Sequence, residues 1–467
     1  MIQKTLALTA VLIVAMAYSV RLMQTQSRSS NPVVLYEGAR LIPGDGRQPI
    51  VSAAMLVESG MITRIGAKGS VNAPRAASRV DLSGKTIMPA LVNAHGHPGF
   101  QRGLTYSADN FTRDTITDDL NRALYFGVGA VQSQGIEKGE VMYEISASQD
   151  DQEKGSLGGA RLRLAGRGIG APNAGPGAAA YAGIAYEVTT EAQARQAVQE
   201  LARRKVNLIK IWVDDRNGRA PRLASNLYRA IIQEGHSHGL KVNAHVFYHT
   251  DAVELVDEGI DGLAHLVRDK EMDDGLVASI VRHNVYVMPN LSPEWNTYPE
   301  LPHWLRDGDP LLMMLRESVS PPVIARMRNA YENRNPDAVE RTRAQYAILQ
   351  RSLAKLAKAN AKIILGSDTG LEDHLFGMSE QHELESMANA GMSPMQAIVA
   401  ATSRAAEYLK LDKTGVLAAG KEATFLVLDA NPLDNITNTQ RISAVYVKGV
   451  SVDRIALRQS LTKTLQN

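Results

Sequence analysis

The chain shows two kinds of apolar pattern, which separate a middle part from two ends. Between residues 86 and 365, apolar runs of strand length alternate with stretches of helical periodicity. This alternation is typical of parallel strands, because joining two of them requires a crossover of a dozen residues or more. We therefore expect an α/β fold. The predicted strands span residues 86–93, 130–133, 162–165, 208–213, 241–244, 262–264, 285–288 and 363–365.

The helices between these strands leave two architectures open. Helical periodicity is clear at 191–205 and 223–238. Eight strands separated by helices over about 320 residues predict a (β/α)₈ barrel, but a doubly wound open sheet shows the same alternation. The interval 291–362 includes a long helical run and is too long for a simple connector. We expect it to be a lid or binding insertion.

Both ends of the chain carry short apolar runs separated by turn residues. This spacing predicts antiparallel strands. Neither end has enough strands to bury a core by itself, so both are expected to build one small β-sandwich. The runs lie at 33–36, 53–57, 62–66 and 79–82, and at 423–428 and 442–449.

The first residues predict export. Lys4 precedes the apolar segment 6–14, and small residues follow up to Ala17, where a signal peptidase could cut. An uncleaved N-terminal anchor is the alternative, since apolar character continues to Val20. The protein is therefore expected to be periplasmic or secreted, or held at the membrane by this segment.

Composition excludes several function classes. The 467 residues include 51 Lys and Arg against 49 Asp and Glu, a net charge of +2 without a long basic run. Nucleic acid is therefore not an expected partner. The absence of cysteine excludes disulfides, thiolate metal sites and a cysteine nucleophile. Any metal must be bound by nitrogen and oxygen.

Ionisable residues occupy the C-terminal ends of the predicted strands, where a barrel would place its active site. His95 and His97 follow the first strand and would face the same side of an extended chain. Neutral imidazole is a common metal ligand. Four more such residues are Lys210 within the fourth strand, and His245, His265 and Asp368 at the ends of the fifth, sixth and eighth.

Each of these residues also has an ordinary structural explanation. Lys210 could extend from a strand edge, and Asp368 could cap a turn. Six coincidences at five strand ends are less plausible than one site, so we expect one site. Seven histidines lack this placement: His236, His238, His249, His283, His303, His374 and His382. His236 and His238 lie near a helix end and are taken as structural or surface residues.

Seven segments match a known family: 88–97 (MPALVNAHGH), 127–131 (GVGAV), 207–211 (NLIKI), 259–265 (GIDGLAH), 366–370 (GSDTG), 390–398 (AGMSPMQAI) and 415–421 (GVLAAGK). With them the chain resembles the amidohydrolase superfamily, and most closely its imidazolonepropionase-like and Xaa-Pro-dipeptidase-like branch. The resemblance covers about 33–453. It departs at Asn93, where the family pattern has an aspartate, and at 423–425, where Ala-Thr-Phe replaces Ala-Asp-Leu.

The resemblance implies a distorted (β/α)₈ TIM-like barrel with a small β-sandwich domain built from both termini. The expected organisation is a signal peptide or anchor at 1–20, a linker at 21–32, sandwich at 33–87 and 412–456, the hydrolase barrel at 88–411 with its insertion 291–362, and a tail at 457–467.

The resemblance also implies the ligands. His95, His97 and Asp368 would bind the more buried of two divalent ions, expected to be Zn²⁺, and His245 and His265 the second. Lys210 would be N6-carboxylated and bridge the ions. An ammonium beside two cations would be repelled, whereas a carbamate is anionic. Imidazolonepropionases lack this lysine and use one metal, so Lys210 favours the two-metal branch.

The resulting hypothesis is an exported metal-dependent amidohydrolase. It would cleave a C–N bond of an amide or dipeptide-like small molecule by attack of a metal-bridging hydroxide, with Asp368 transferring the proton. Tyr248 and Arg268 are candidate substrate binders, and the Gly-rich segment 166–177 is expected beside the site.

Alternatives to this hypothesis stay open. One is a cyclic-amide or lactone hydrolase with the same binuclear site. Another, of a different class, is a non-catalytic exported binding protein on a degenerate barrel. A homo-oligomer is equally open.

Overall fold

The structure is a computed structural model that describes residues 33–151, 159–177, 179–216, 218–292 and 302–464. The expectations for 1–20 and 21–32 lie outside these ranges. Within them, no helix combines the length and the apolar character needed to cross a membrane.

The strands are numbered β1 to β21 in chain order. Their bounds are β1 Val34–Glu37, β2 Arg40–Leu41, β3 Ala53–Glu58, β4 Met61–Ala67, β5 Ser78–Asp81, β6 Thr86–Pro89, β7 Leu91–Gly96, β8 Gln101–Arg102, β9 Thr105–Tyr106, β10 Val128–Ser133, β11 Arg161–Arg163, β12 Ile169–Gly170, β13 Tyr186–Glu187, β14 Leu208–Trp212, β15 Lys241–His245, β16 Gly262–Ala264, β17 Tyr286–Met288, β18 Lys362–Ile363, β19 Phe425–Leu428, β20 Ile442–Val447 and β21 Val450–Ser451.

The α-helices are numbered in the same way. Their bounds are α1 Arg113–Tyr125, α2 Val141–Asp151, α3 Glu191–Arg203, α4 Ser225–Ser237, α5 His249–Asp257, α6 Asp274–Arg282, α7 Pro310–Arg316, α8 Pro321–Glu332, α9 Pro336–Lys358, α10 Met378–Asn389, α11 Pro394–Ala401, α12 Ser403–Tyr408 and α13 Arg454–Thr464.

Two sheets are parallel throughout and contain most of the predicted middle strands. One has the order β11-β10-β7, and the other β13-β12-β14-β15-β16-β17-β18. Strand β14 is buried along its whole length, as expected of a parallel strand covered on both faces. The prediction of an α/β fold with parallel sheets is confirmed.

Main-chain contacts connect β7 to the residues that follow β18. The N–H of Ala94 donates to the carbonyl of Leu365 at 2.8 Å, and the N–H of His97 to that of Thr369 at 2.7 Å. Gly96 and Thr369 also form a parallel bridge. The ends of the first and eighth predicted strands therefore lie side by side.

The predicted strand 86–93 is two strands with different partners. β6 pairs antiparallel with β19, whereas β7 pairs parallel with β10. Between them the N–H of Ala90 donates to the carbonyl of Thr424 at 3.2 Å. Both strands are fully buried, so the apolar run is continuous and does not reveal the change of sheet.

The chain ends form two further sheets, β4-β3-β1-β5 and β2-β6-β19-β20-β21. Most pairs are antiparallel as predicted, but β1–β5 and β2–β6 are parallel. Both sheets contribute to one buried cluster. In it the ring of Tyr36 packs edge-on against Phe425 with centroids 5.2 Å apart.

The described part of the predicted insertion is largely helical. Helices α7, α8 and α9 each begin with a proline, which suits the first helical position because it has no N–H to leave unpaired. Glu383 of α10 holds the first residues of the insertion in place, because its carboxylate accepts hydrogen bonds from the N–H groups of Leu291, at 3.0 Å, and Ser292.

Candidate metal centre and active site

A cavity of about 500 Å³ lies where the parallel strands β7, β14 and β15 end. Its size is within the usual range of small-molecule sites. All six side chains that the sequence predicts as metal ligands line it: His95, His97, Lys210, His245, His265 and Asp368.

His95, His97 and Asp368 form the tightest group in this cavity. The Oδ1 atom of Asp368 lies 3.1 Å from Nε2 of His95 and 2.9 Å from Nε2 of His97. All three residues are buried, and their candidate ligand atoms lie within 4.8 Å of one another. Two imidazole nitrogens thus converge on one carboxylate oxygen.

Electrostatics keep His95 and Asp368 in the protonation states that bind metals. Burial lowers the pKa of His95 to about 3, so its imidazole is neutral. Burial raises the pKa of Asp368, but the contacts with His95, His97 and His265 outweigh it and hold that pKa well below its usual value. Neutral imidazole and ionised carboxylate are the ligating forms.

His245 and His265 form a second pair beside the first group. Their ring centroids lie 4.4 Å apart, and Nε2 of His265 is 3.9 Å from Oδ2 of Asp368. Burial lowers the pKa of both histidines, and that of His265 falls well below its usual value. Asp368 therefore faces both groups of histidines.

Lys210 is fully buried in β14, with 1% of its surface exposed. Burial lowers its pKa to about 7 against the opposing effect of Asp368 and Asp214. Its charge in turn lowers the pKa values of His95 and His245. Lys210 thus acts electrostatically on one histidine of each group.

The structure brings only one of the two predicted substrate binders to the cavity. Arg268 lines it, with Nη2 3.0 Å from Nδ1 of His265. Tyr248 is not among the lining residues: it precedes α5, and its phenol donates to Asp215 at 2.8 Å. Phe247 lines the cavity instead.

Sequence reasoning missed several lining residues. Asp214, whose Oδ2 is 3.3 Å from Nε2 of His245, follows the end of β14. The strand-end rule that found the histidines could therefore have found it. Tyr181 ends a short 3₁₀ helix, Ala179–Tyr181, that no sequence pattern indicated, and its ring centroid is 5.9 Å from that of His97.

The Gly-rich segment and the insertion both reach the cavity. Arg216, another lining residue that the sequence did not indicate, donates to the carbonyls of Ala174 and Gly175. Residues 175–177 line the cavity, and so does Gln345 of α9. The predicted proximity of segment 166–177 to the site agrees with this arrangement.

The donor set fits divalent metal ions. It consists of imidazole nitrogens and carboxylate oxygens, which suit zinc and similar ions. In addition, the buried Nδ1 atom of His97 has no hydrogen-bond partner among the described residues. Together, the α/β fold and this cavity define a candidate metal-dependent enzyme.

Comparison with known proteins gives the family. The sequence profile of the amidohydrolase family, whose members are generally metal-dependent, matches residues 86–452. The chain belongs to this family. An uncharacterized protein of Mycobacterium tuberculosis is 28% identical over 224 residues, 47% of this chain and 54% of that protein. The chain thus spans about half the length of the curated relatives it matches.

Solved structures agree on the fold. Phenylurea hydrolase B superposes with a TM-score of 0.70 at 23% identity, covering 91% of this chain and 97% of its own. A Xaa-Pro dipeptidase with methionine bound in its active site gives a TM-score of 0.70 at 19% identity, covering 90% and 99%. At these identities the likeness shows a common fold.

Proposed function

We propose that this protein is a metal-dependent hydrolase that cleaves the C–N bond of an amide or dipeptide-like small molecule. The observation that carries the proposal is the convergence of six predicted ligands on one cavity at the strand ends. Membership of the amidohydrolase family supports the same reaction class.

The site would hold two divalent ions, with zinc as the expected metal. His95, His97 and Asp368 would bind one, and His245 and His265 the other. When bound, such ions acidify water and polarise a substrate carbonyl. An N6-carboxylated Lys210 would complete the set. Its pKa of about 7 leaves much of the amine neutral at neutral pH, and the neutral amine can add to CO₂ and release a proton.

The chain's own residues would move the proton and orient the substrate. The low pKa of Asp368 keeps this carboxylate ionised, the form that can take a proton from water and pass it to the leaving nitrogen. A guanidinium only donates hydrogen bonds. The hydrogen bond from Arg268 to Nδ1 of His265 can therefore form only when Nδ1 carries no proton. Metal binding through Nε2 of His265 would therefore release Arg268 to bind substrate.

The supporting architecture would be a (β/α)₈ barrel at 88–411 beside a β-sandwich made of 33–87 and 412–456. Contacts between β7 and the chain after β18 support closure of the parallel strands. The buried cluster shared by the two terminal sheets supports the sandwich.

The test is hydrolysis by protein purified with Zn²⁺ and bicarbonate, over a panel of dipeptides, N-acyl amino acids and cyclic amides. Lys210→Ala and Asp368→Asn are expected to lower kcat/KM at least 100-fold, whereas Lys138→Ala, at an exposed position, should not. Equal turnover by wild type and both site variants would overturn the proposal.

We also propose that the protein is exported. Support comes from the sequence of residues 1–20 alone. Fractionation of cells that produce the full chain, with N-terminal sequencing, tests this. A periplasmic or secreted form starting after Ala17 indicates cleavage, and a full-length membrane form indicates an anchor. A full-length cytoplasmic form would contradict export.

A further inference from the structure

Asn93 joins strand β7, which carries His95, to the segment after β18 that carries Asp368. Its side chain is fully buried. The Oδ1 atom accepts the N–H groups of His95, at 3.0 Å, and of Ser367, at 3.3 Å. One carboxamide oxygen thus fixes the backbone immediately before Asp368 against the backbone of His95.

The other half of this carboxamide contacts a buried acid. Nδ2 of Asn93 donates to Oε1 of Glu380 at 2.6 Å and to Oγ of Ser367 at 2.9 Å. Glu380 lies in the first turn of α10 and is fully buried. Its second oxygen accepts the N–H of Gly377 at 2.6 Å.

These contacts determine which way the amide of Asn93 faces. Two backbone N–H groups can only donate, so the atom that meets them must be the oxygen. The amino group then faces Glu380, both of whose oxygens receive N–H donors. A half-turn of the amide would put donors against donors and an oxygen against the acid.

We infer that Asn93 and Glu380 are an acid–amide pair that positions His95 and Asp368 for metal binding. The inference rests on the proposed function, since it assigns these two residues to the same metal. Neither Asn93 nor Glu380 lines the cavity. They act through the backbone at 95 and 367 and are positioning residues.

In this pair position 93 carries the amide and position 380 the acid, and a double substitution can exchange them. In Asn93→Asp, two carboxylates would meet at a distance where both cannot stay ionised. In Glu380→Gln, an amino group could be forced against the N–H of Gly377. When both changes are combined, the amide introduced at position 380 can donate to the carboxylate introduced at position 93. Its oxygen can still accept from Gly377. The hydrogen bonds between positions 93 and 380 and the one from Gly377 can then form again with acid and amide exchanged, whereas the Ser367 hydroxyl must turn to donate to position 93 instead of accepting from it.

The experiment measures Co²⁺ and Zn²⁺ affinity by chelator competition, the Co²⁺ absorption spectrum, thermal unfolding of the metal-free protein, and kcat/KM. Asn93→Asp should weaken metal binding about 10- to 100-fold and alter the spectrum. The double variant should recover to within about threefold of wild type. Asn335→Asp, at an exposed helix cap, is the matched control and should change neither affinity nor spectrum.

The outcomes separate this inference from the proposed function. A wild-type protein that binds no metal contradicts the proposed function and the inference with it. Metal binding by wild type that is unchanged in Asn93→Asp overturns the inference alone, and so does a double variant no better than Asn93→Asp. Should Asn93→Asp not fold, the double variant must restore folding, and its failure to do so also overturns the inference.

Discussion

The burial of Lys210 depends on a glycine packed against it. Gly135 has φ +88°, and a Cβ atom there would lie 2.8 Å from Cγ of Lys210 and 2.9 Å from the Trp212 ring. Real Cβ atoms do not approach so closely without displacing a neighbour. A side chain at 135 would therefore push Lys210 out of place while leaving the lysine itself in the chain.

Gly135→Ala is predicted to lower kcat/KM at least tenfold. Gly139→Ala is the matched control, because Gly139 has φ +66° but no atom within 4 Å of its would-be Cβ. Both variants should lose about 1 kcal/mol of stability from the left-handed backbone, and Gly135→Ala should lose about 1–3 kcal/mol more from overpacking. Steady-state kinetics and thermal unfolding check this. Equal activity of the two variants would show that the position of Lys210 does not matter.

At the scale of residues, the sequence indicated site residues near the ends of buried strands. It missed residues that come close to the site only through folding of distant parts of the chain. His95 and His245 lie at the ends of strands and His265 directly follows one, so a rule about strand ends finds them. Glu380 reaches Asn93 from a helix 287 residues further on, which no local pattern encodes. Tyr248 donates to Asp215 and does not line the cavity, and its place in the sequence three residues after His245 does not reveal this.

At the scale of elements, the polar contacts of His303 and of Arg326 help to hold the insertion to the rest of the protein. His303 lies between Asp309 and Glu385, with both distances 2.7 Å. Arg326 of α8 forms a paired contact with Asp373 and donates to the carbonyl of Leu104 at 2.6 Å. The first fixes the start of the insertion to α10, and the second fixes α8 to the loops near the cavity.

The His303 contact is predicted to stabilise the protein in a pH-dependent way. Hydrogen bonds that His303 donates to Asp309 and Glu385 raise its pKa to about 10, against about 6.5 in an unfolded chain. The raised pKa makes the contribution full below about pH 6.5 and removes it as pH rises through about 10. The side chain is 41% exposed, so screening limits the effect to about 1 kcal/mol.

Urea unfolding of wild type and His303→Gln between pH 6 and 10.5 checks this. The stability difference should shrink as pH rises. His283→Gln, on the exposed end of α6, serves as the control and should show no such trend. A difference between wild type and His303→Gln that is constant with pH would exclude the charged contact.

Arg326→Ala is predicted to destabilise the insertion. It would leave the buried carboxylate of Asp373 without its guanidinium partner, at a cost of about 2 kcal/mol. We expect faster proteolysis within 302–358 and a higher KM, because Gln345 of the same insertion lines the cavity. Arg343→Ala, in an exposed pair with Glu340, is the control. Identical cleavage patterns in the two variants would contradict a stabilising role of the contact between Arg326 and Asp373.

Elements were predictable where one local pattern decides them. Strand β16 and the helices α3 and α4 lie within two residues of the predicted bounds, because apolar runs and helical periodicity are local features. The division of 86–93 between two sheets was not predictable, since both strands are buried. The parallel pairing of β1 with β5 depends on partners, which turn residues do not specify.

At the scale of the whole molecule, metal binding at the strand ends should raise the free energy of unfolding. Asp368 and His95 lie far apart in the chain, so an ion between them stabilises the folded state over the unfolded one. Zinc at 100 times its Kd should add about 2.7 kcal/mol. Removal by a chelator should lower the unfolding midpoint, and added zinc should restore it. A His95→Ala/His97→Ala variant should show a smaller response, and an equal one would locate the metal elsewhere.

The binuclear site is tested most directly by anomalous diffraction at the zinc edge, from crystals of the protein prepared with Zn²⁺ and bicarbonate. We predict two peaks about 3.5–4 Å apart in the cavity. One should lie about 2.0–2.2 Å from ligand atoms of His95, His97 and Asp368, and the other should be bound by His245 and His265. A map without a peak in this cavity, or with zinc bound only at other residues, would contradict the proposed metal centre.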